Sequence, residues 1–476
     1  MALTSKDILT NSGIQFGTSG ARGLVEQFTD QVCAAFTLAF LSVMKREFSV
    51  EHVALGIDRR PSSPLMAAAC AAAAEDLGVT VDYYGVLPTP ALALQAMQDG
   101  IPAIVITGSH IPFDRNGIKF YRPDGEITKA DEQAILQAEV EVKSVQSVLP
   151  GESGRARQLY MERYTQLFAP DLLQGKRIGL YEHSAAGREL NAEVLKKLGA
   201  EVISLGRTDT FVPIDTEAVS EEDQRQALAW SSEYELDAIF STDGDGDRPL
   251  VADEHGQWLR GDILGLLCAR ALHIQALAVP VSCNTAIEKS DSFAEVKRTR
   301  IGSPYVIEGM AVLAERFERV AGFEANGGFL LQSAVAMGAA IIAPLPTRDA
   351  LLPALMLLAG SALQGKPISA LLAELPERFT ASDRIKDVPT DKSKALIVSW
   401  AENLNAMLES LHLPGEAVSA DTTDGLRVTL SSGDIVHLRP SGNAPELRCY
   451  AEAGNYLQAK ALVNQCLERV NKVINA

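Results

Sequence analysis

Val53-Ala54-Leu55-Gly56-Ile57 is an unbroken apolar run that stops at Asp58, and Ser63 to Leu77 follows as an Ala-rich stretch. A short apolar run bounded by polar residues reads as a strand buried on both faces, and the Ala-rich stretch reads as a helix. Outward from this pair the alternation continues. Asp30 to Lys45 has the pattern of an amphipathic helix, and Val79–Tyr83 and Ala103–Thr107 read as further strands. Strands and helices in strict alternation predict a parallel α/β layer fold.

The pattern then recurs. Leu149-Pro150-Gly151-Glu152-Ser153-Gly154 is a break. After it come a helix (Arg157–Leu167), a strand (Arg177–Tyr181), a helix (Arg188–Leu198), a strand (Ala200–Leu205), a helix (Glu222–Glu233) and a strand (Ala238–Phe240). A second break spans Asp253–Gly261. A third α/β stretch carries apolar segments at Leu277–Val281 and Val320–Phe323, and a polar, Pro-marked stretch runs from Pro367 to Lys392. The remainder differs. Val418–Asp421, Gly425–Leu430, Asp434–Arg439 and Leu447–Glu452 read as strands, with a helix from Tyr456. The expected architecture is three similar α/β domains in series plus a C-terminal α+β domain, divided at 1–153, 154–256, 257–372 and 373–476.

Composition narrows the function classes. The 476 residues suit several domains at roughly 150 residues each. Lys and Arg number 43 against 61 Asp and Glu, a net charge of −18. So acidic a chain is a poor general binder of nucleic acid or of an anionic membrane, although a locally basic pocket stays open. The six cysteines form no CxxC and no zinc-ligand spacing with His, which points to buried thiols in a reducing cytosol. The N-terminal residues lack the basic-then-apolar pattern of a secretory signal. No apolar run approaches the ~20 residues of a membrane span. The best candidate, Leu351–Leu363, is short and contains Pro353. A cytoplasmic protein is expected.

Five segments carry chemistry. In Ser241-Thr242-Asp243-Gly244-Asp245-Gly246-Asp247-Arg248, three carboxylates alternate with glycine directly after an apolar strand. They can converge, and anions so close repel one another unless a cation binds; their oxygens suit Mg²⁺ or Ca²⁺. An EF-hand loop is disfavoured, because Arg248 stands at the sixth position, where Gly is required, and Pro249 follows. A solvated acidic turn is the plainer alternative. Thr107-Gly108-Ser109-His110-Ile111-Pro112 follows another strand, so Ser109 sits where α/β ligand sites lie; it could be a nucleophile or a phosphorylated group, or only a loop serine. Nearby Lys119 could move protons or balance phosphate charge. Arg439-Pro440-Ser441-Gly442-Asn443-Ala444-Pro445 with Arg448 suits a phosphate dianion, the arginines supplying forked donors and the loop backbone N–H groups. An ordinary Pro/Gly turn fits it as well. Gly322-Phe323-Glu324-Ala325-Asn326-Gly327-Gly328 ends an apolar strand with a carboxylate and an amide fit for vicinal hydroxyls, though Asn-Gly is first a turn signal. Phe16-Gly17-Thr18-Ser19-Gly20-Ala21-Arg22-Gly23 is a Gly-rich loop carrying an Arg, without the Walker pattern.

In this order the five segments resemble the α-D-phosphohexomutase superfamily over residues 16–453. The resemblance implies a Mg²⁺-dependent enzyme interconverting hexose 1-phosphates and 6-phosphates, mannose or glucose first. Ser109 would carry a phosphoryl group, and Mg²⁺ would lie between that group and Asp243, Asp245 and Asp247. A hexose 1,6-bisphosphate would be the intermediate and activator. Arg22 and Arg248 would neutralise charge, and Lys119 with His110 would handle the hydroxyl proton. Glu324, Asn326 and Gly327 would contact the sugar, and Arg439, Ser441, Gly442, Asn443 and Arg448 would hold the non-reacting phosphate.

The chain departs from the usual pattern at four places. Gly108 replaces Ala, Ile111 replaces Asn, Asn326 replaces Ser while Gly328 stands where many bacterial members have His, and Ser303 also stands where His is common. Asn326 could suit an amide-bearing sugar, so phosphoglucosamine or N-acetylglucosamine phosphate is the alternative substrate. A non-catalytic sugar-phosphate binder is a further alternative. A phosphohydrolase with an Asp nucleophile is disfavoured, because the metal loop lacks the Thr or Val such enzymes carry two positions after the second Asp.

Overall fold

The computed structural model describes residues 3–17, 20–143, 148–440 and 446–475. Its elements form four sheets and one small hairpin. In the first sheet, His52–Ile57 pairs in parallel with Thr80–Val86 and with Ala103–Ile106. In the second, Arg177–Tyr181 lies parallel to Glu201–Leu205 and Ala238–Thr242. In the third, Ala276–Pro280 lies parallel to Glu295–Thr299 and Val320–Phe323. The C-terminal sheet is wholly antiparallel, in the order Phe379–Ile385, Leu447–Ala453, Ile435–Pro440, Leu426–Leu430, Ala417–Asp421.

The expected parallel strands are present, with one repeated addition. Each α/β sheet ends its parallel set on a strand that turns back antiparallel. Ala103–Ile106 pairs with Arg115–Arg122, Ala238–Thr242 with Pro249–Ala252, and Val320–Phe323 with Phe329–Leu331. The three turns between them hold Ser109, the Asp243–Arg248 loop and Glu324. A hairpin needs only a short connection, so the functional loops stay tight, whereas a parallel crossover needs a dozen or more residues. The Pro-marked stretch contains the strand Phe379–Ile385, whose seven residues pair in full register with Leu447–Ala453.

One continuous apolar core runs through the three α/β domains, from Ala54 and Leu92 through Leu180 and Leu264 to Leu355 and Leu371. The C-terminal module has its own core, built on Leu438, Cys449 and Val463. Polar contacts join it to the rest. Asn284 Nδ2 donates to Arg378 O at 2.9 Å and to Thr380 Oγ1 at 3.0 Å, and Ile301 N donates to Asp424 Oδ2 at 3.0 Å.

At the centre, three consecutive buried residues end the strand Leu345–Asp349. Thr347 Oγ1 donates to Glu126 Oε1 of the first domain at 2.7 Å. Arg348 reaches Asp247 of the second domain at 3.0 Å. Asp349 accepts from Tyr160 OH at 2.5 Å and from Tyr164 OH, both on the helix Arg155–Thr165. A polar group leaves water without penalty only where it finds partners, so these residues fix three domains in one arrangement.

Two buried histidines make the fold acid-sensitive. His437 Nε2 donates to Asp424 O at 2.6 Å, and His183 Nε2 to Thr242 O at 2.8 Å; neither Nδ1 has a hydrogen-bond partner among the described residues. Burial pushes both rings down to about 4, against the pull of those carbonyls. The unfolded chain therefore binds more protons between pH 6.5 and 4. The stability these neutral rings contribute is complete above pH 6.5 and is lost as pH falls toward 4. Urea midpoints at pH 7 and pH 5 should differ less in His437→Asn than in the unsubstituted chain; an equal drop would contradict this account.

Candidate active site

Ser109 follows the strand Ala103–Ile106 and is fully buried, with φ 53° in the left-handed region. A non-glycine residue there costs roughly 1–3 kcal/mol, so its surroundings must hold it. Its N–H donates to Thr107 Oγ1 at 2.8 Å, its Oγ to Asp243 Oδ2 at 2.6 Å. Its carbonyl accepts from Arg60 Nη2 at 3.1 Å.

Arg60, which sequence reading passed over, is the loop's inner support. Its Nη2 also reaches Ile111 O at 2.6 Å, its Nη1 reaches Pro112 O at 2.7 Å and Arg115 O at 2.8 Å, and its Nε reaches Asp58 Oδ2 at 3.2 Å. Every N–H of the guanidinium is used, and its Cζ lies 3.9 Å from the Phe211 ring centre. A Cβ at position 108 would come within 2.5 Å of Arg60 Cζ. The Gly108 departure therefore has a physical cause: Arg60 occupies that space.

The turn after Ala238–Thr242 brings Asp243, Asp245 and Asp247 together, all buried, with candidate ligand oxygens within 4.8 Å of one another. Lys119, on the back-turning strand Arg115–Arg122, meets Asp245 Oδ2 at 2.5 Å and Asp247 Oδ2 at 2.8 Å. Thr89 Oγ1 donates to Asp245 Oδ2 at 2.7 Å. The three carboxyls are driven apart. Burial, then the charges of Asp245 and Asp247, push Asp243 well up. At Asp245 burial is outweighed by Lys119, and at Asp247 by Arg348 and Lys119, so both stay below the usual range. Asp245 Oδ1 and Asp247 Oδ1 are buried without a hydrogen-bond partner among the described residues. Buried acceptors left over in an all-oxygen set fit a hard divalent cation.

Cations converge on the same place. Arg248 Nη1 lies 2.8 Å from His110 Nδ1 and, being unable to accept, donates to it. His110 is therefore neutral, and burial with Arg248 and Arg22 pushes it well below the ordinary histidine range. Arg22 is pushed down to about 10 by burial and by the neighbouring charges of Arg248 and Arg348. Three guanidiniums this close favour an incoming anion.

On the third domain's turn, Glu324 Oε2 is 3.2 Å from Arg348 Nη1. Asn326 Oδ1 accepts from Gly328 N at 3.0 Å, so its acceptor is engaged within the loop. Thr216 Oγ1 donates to Asn326 O at 2.8 Å, tying the turn to the second domain. Gly327 closes the turn, its N–H donating to Glu324 O at 2.9 Å. In the C-terminal sheet Arg439 and Arg448 stand directly opposite each other on adjacent strands, and Arg384 stands opposite Arg448 on the far side. Like charges in register are unfavourable alone and suit an anion. Ser441, Gly442 and Asn443 lie outside the described residues, as do Thr18 and Ser19. Burial and the neighbouring Asp215 push the Glu217 carboxyl up, against the charges of Arg260, Arg448 and Arg248.

Comparison with known proteins agrees with this layout. Four family descriptions match in order: "Phosphoglucomutase/phosphomannomutase, alpha/beta/alpha domain I" over 13–145, domain II over 158–256, domain III over 260–379, and the C-terminal domain over 373–469. The chain is 54% identical over 465 residues to a phosphomannomutase of Salmonella muenchen, covering 98% of this chain and 97% of that one. It is 43% identical over 470 residues to a phosphomannomutase of Sinorhizobium fredii, covering 96% and 99%. The solved structure of a putative phosphomannomutase from Thermus thermophilus shares the fold, with TM-score 0.77 and 20% identity over 97% of this chain and 99% of that one.

The support lent by Arg60 is directly measurable. Arg60→Lys keeps the charge but cannot reach four carbonyls, so deuterium uptake by peptides covering 108–115 should rise while the rest of the first domain stays protected. Unchanged uptake there would mean that the loop holds itself.

Proposed function

This chain belongs to the phosphoglucomutase/phosphomannomutase family and is a hexose phosphate mutase, an isomerase acting by intramolecular phosphoryl transfer; on that premise we propose that it interconverts the 1- and 6-phosphates of mannose and glucose through a phosphoserine at Ser109. The observation that carries this reading is Ser109 Oγ, 2.6 Å from Asp243 in a buried cluster of balanced charges. A phosphoryl group on that oxygen would stand beside leftover carboxylate acceptors and converging arginines.

In the proposed reaction a sugar hydroxyl attacks the phosphorus on Ser109. The new P–O bond forms as the bond to Oγ breaks, and the hydroxyl proton is handed on to Ser109 Oγ, with Lys119, an ammonium held between Asp245 and Asp247, giving up one proton as it takes the other. His110, neutral and engaged by Arg248, positions that arginine rather than taking the proton. The resulting hexose 1,6-bisphosphate turns end for end and returns its other phosphoryl group to Ser109 Oγ. Asp243, Asp245 and Asp247 would hold Mg²⁺, which supplies charge neutralisation on the transferring group when bound. Arg22 and Arg248 steady the same oxygens. Glu324, with the Asn326–Gly327 turn, receives the sugar hydroxyls. Arg439 and Arg448, with Ser441, Gly442 and Asn443, anchor the phosphate that is not reacting, and one anchor serves both orientations.

Mannose and glucose are favoured over an amide-bearing sugar because phosphomannomutases at 54% and 43% identity align over nearly the whole chain. Domain limits of 1–153, 154–256, 257–372 and 373–476 suit these roles. The six free, buried cysteines suit a reducing compartment, and we read the enzyme as cytoplasmic. Among the described residues no helix is long and apolar enough to cross a membrane.

A phosphorus NMR time course with Mg²⁺ and a trace of hexose bisphosphate tests the reading. Mannose 1-phosphate and glucose 1-phosphate should convert to their 6-phosphates, and Ser109→Ala should lower the rate by about 10³-fold or more. Full activity in that variant, or steady release of inorganic phosphate, would overturn it.

A further inference from the structure

Arg348 belongs to none of the segments that sequence reading singled out. It is buried to 2% exposure, and its guanidinium is shared between two loops. Nε and Nη2 lie 3.1 and 3.0 Å from Asp247 Oδ2. Nη1 lies 3.2 Å from Glu324 Oε2 and 3.2 Å from Ser303 Oγ. One flat, rigid group thus touches a carboxylate of the metal loop and the carboxylate of the sugar loop.

Its base is fixed on both sides. Thr347 is tied to Glu126 and Asp349 to Tyr160 and Tyr164. Its stem is packed as well: a Cβ at position 328 would come within 2.6 Å of Arg348 Cγ and Cδ. Gly328 and Ser303, both at departures from the family pattern, adjoin this side chain.

The contacts on Asp247 are one-sided. Oδ2 takes both Arg348 nitrogens and Lys119, whereas Oδ1 makes no hydrogen bond among the described residues and only faces Arg248 Nε at 3.6 Å. Arg348 therefore turns the carboxylate so that one oxygen is claimed and the other is left for a cation. The same guanidinium sets the rotamer of Glu324. A displacement of either carboxylate must be felt by the other, because the fork cannot bend.

We propose that Arg348 is the positioning residue that couples divalent-cation binding at Asp243, Asp245 and Asp247 to sugar binding at Glu324. This rests on the metal and sugar roles proposed above. Positioning and bare charge predict different outcomes. A substitution that keeps the cation beside the three carboxylates would by charge alone leave divalent-ion binding unchanged. Losing the orienting contact should weaken it, as loss of outer-shell partners does, by roughly 10–100-fold.

The test is Mn²⁺ binding followed by electron paramagnetic resonance, with and without mannose 1-phosphate, on the full chain. In the unsubstituted protein the sugar phosphate should tighten Mn²⁺ by roughly 5-fold or more, and Mn²⁺ should tighten the sugar phosphate equally. Arg348→Lys keeps the charge but not the fork; it should bind Mn²⁺ roughly 10–100-fold more weakly, with the coupling reduced to near unity. Gly328→Ala retains the arginine and displaces it, and should give the same loss of coupling if Arg348→Lys fails to fold. Circular dichroism identifies the folded variants. Uptake of Mn²⁺ with unchanged coupling in either folded variant would overturn this inference alone. No uptake by the unsubstituted chain would overturn the metal reading together with it.

Discussion

Three carboxylates within one short turn, all removed from water, cannot remain ionised without cations beside them. Asp243, Asp245 and Asp247 meet that constraint with side chains from three directions. Lys119 comes from the first domain, Arg248 from the same turn, and Arg348 from the third domain. The cations match the carboxylates in number, yet not every carboxylate oxygen is used. Two oxygens keep no hydrogen bond among the described residues, and Asp243 is held toward its protonated form by burial and its neighbours. A cluster that draws its counter-charges from separate domains holds those domains in one arrangement and leaves an opening for a cation.

The repeated architecture explains how such distant residues meet. Each α/β sheet ends on a strand that turns back on itself, and each turn delivers one part of the site: Ser109, the three aspartates, Glu324. The back-turning strands contribute too, since Lys119 lies on one of them. The core shared by the three domains makes their mutual placement rigid. The C-terminal module, with a separate core and polar contacts to the third domain, is built for a looser attachment. That division suits a fixed centre for chemistry and a separable anchor for phosphate.

Much of this was legible in the sequence, because it depends on local pattern. Arg177–Tyr181 and Val320–Phe323 read as strands and are strands. The alternating aspartates announce a convergent acidic turn wherever they occur. What was not legible depends on partners far along the chain. Arg60 spends its donors mostly on backbone carbonyls, which carry no residue signature. Thr347-Arg348-Asp349 looks like the polar end of a strand, and only burial against the other domains shows it as their junction. The antiparallel Arg115–Arg122 strand was missed because seven of its eight residues are at least partly buried, which removes the alternation that marks a one-sided strand. Its one local mark is that the polar triplet stands a single residue, Ala350, before the apolar helix Leu351–Gln364.

In the proposed reaction the buried serine beside this acidic cluster carries the transferred group. The most direct measurement is mass spectrometry of the purified protein, intact and as peptides, before and after brief exposure to mannose 1-phosphate. The account predicts a phosphoryl group on Ser109 that disappears on exposure as hexose 1,6-bisphosphate appears in solution. An active protein whose Ser109 is never modified, or whose phosphoryl group resides on Asp243, would contradict it.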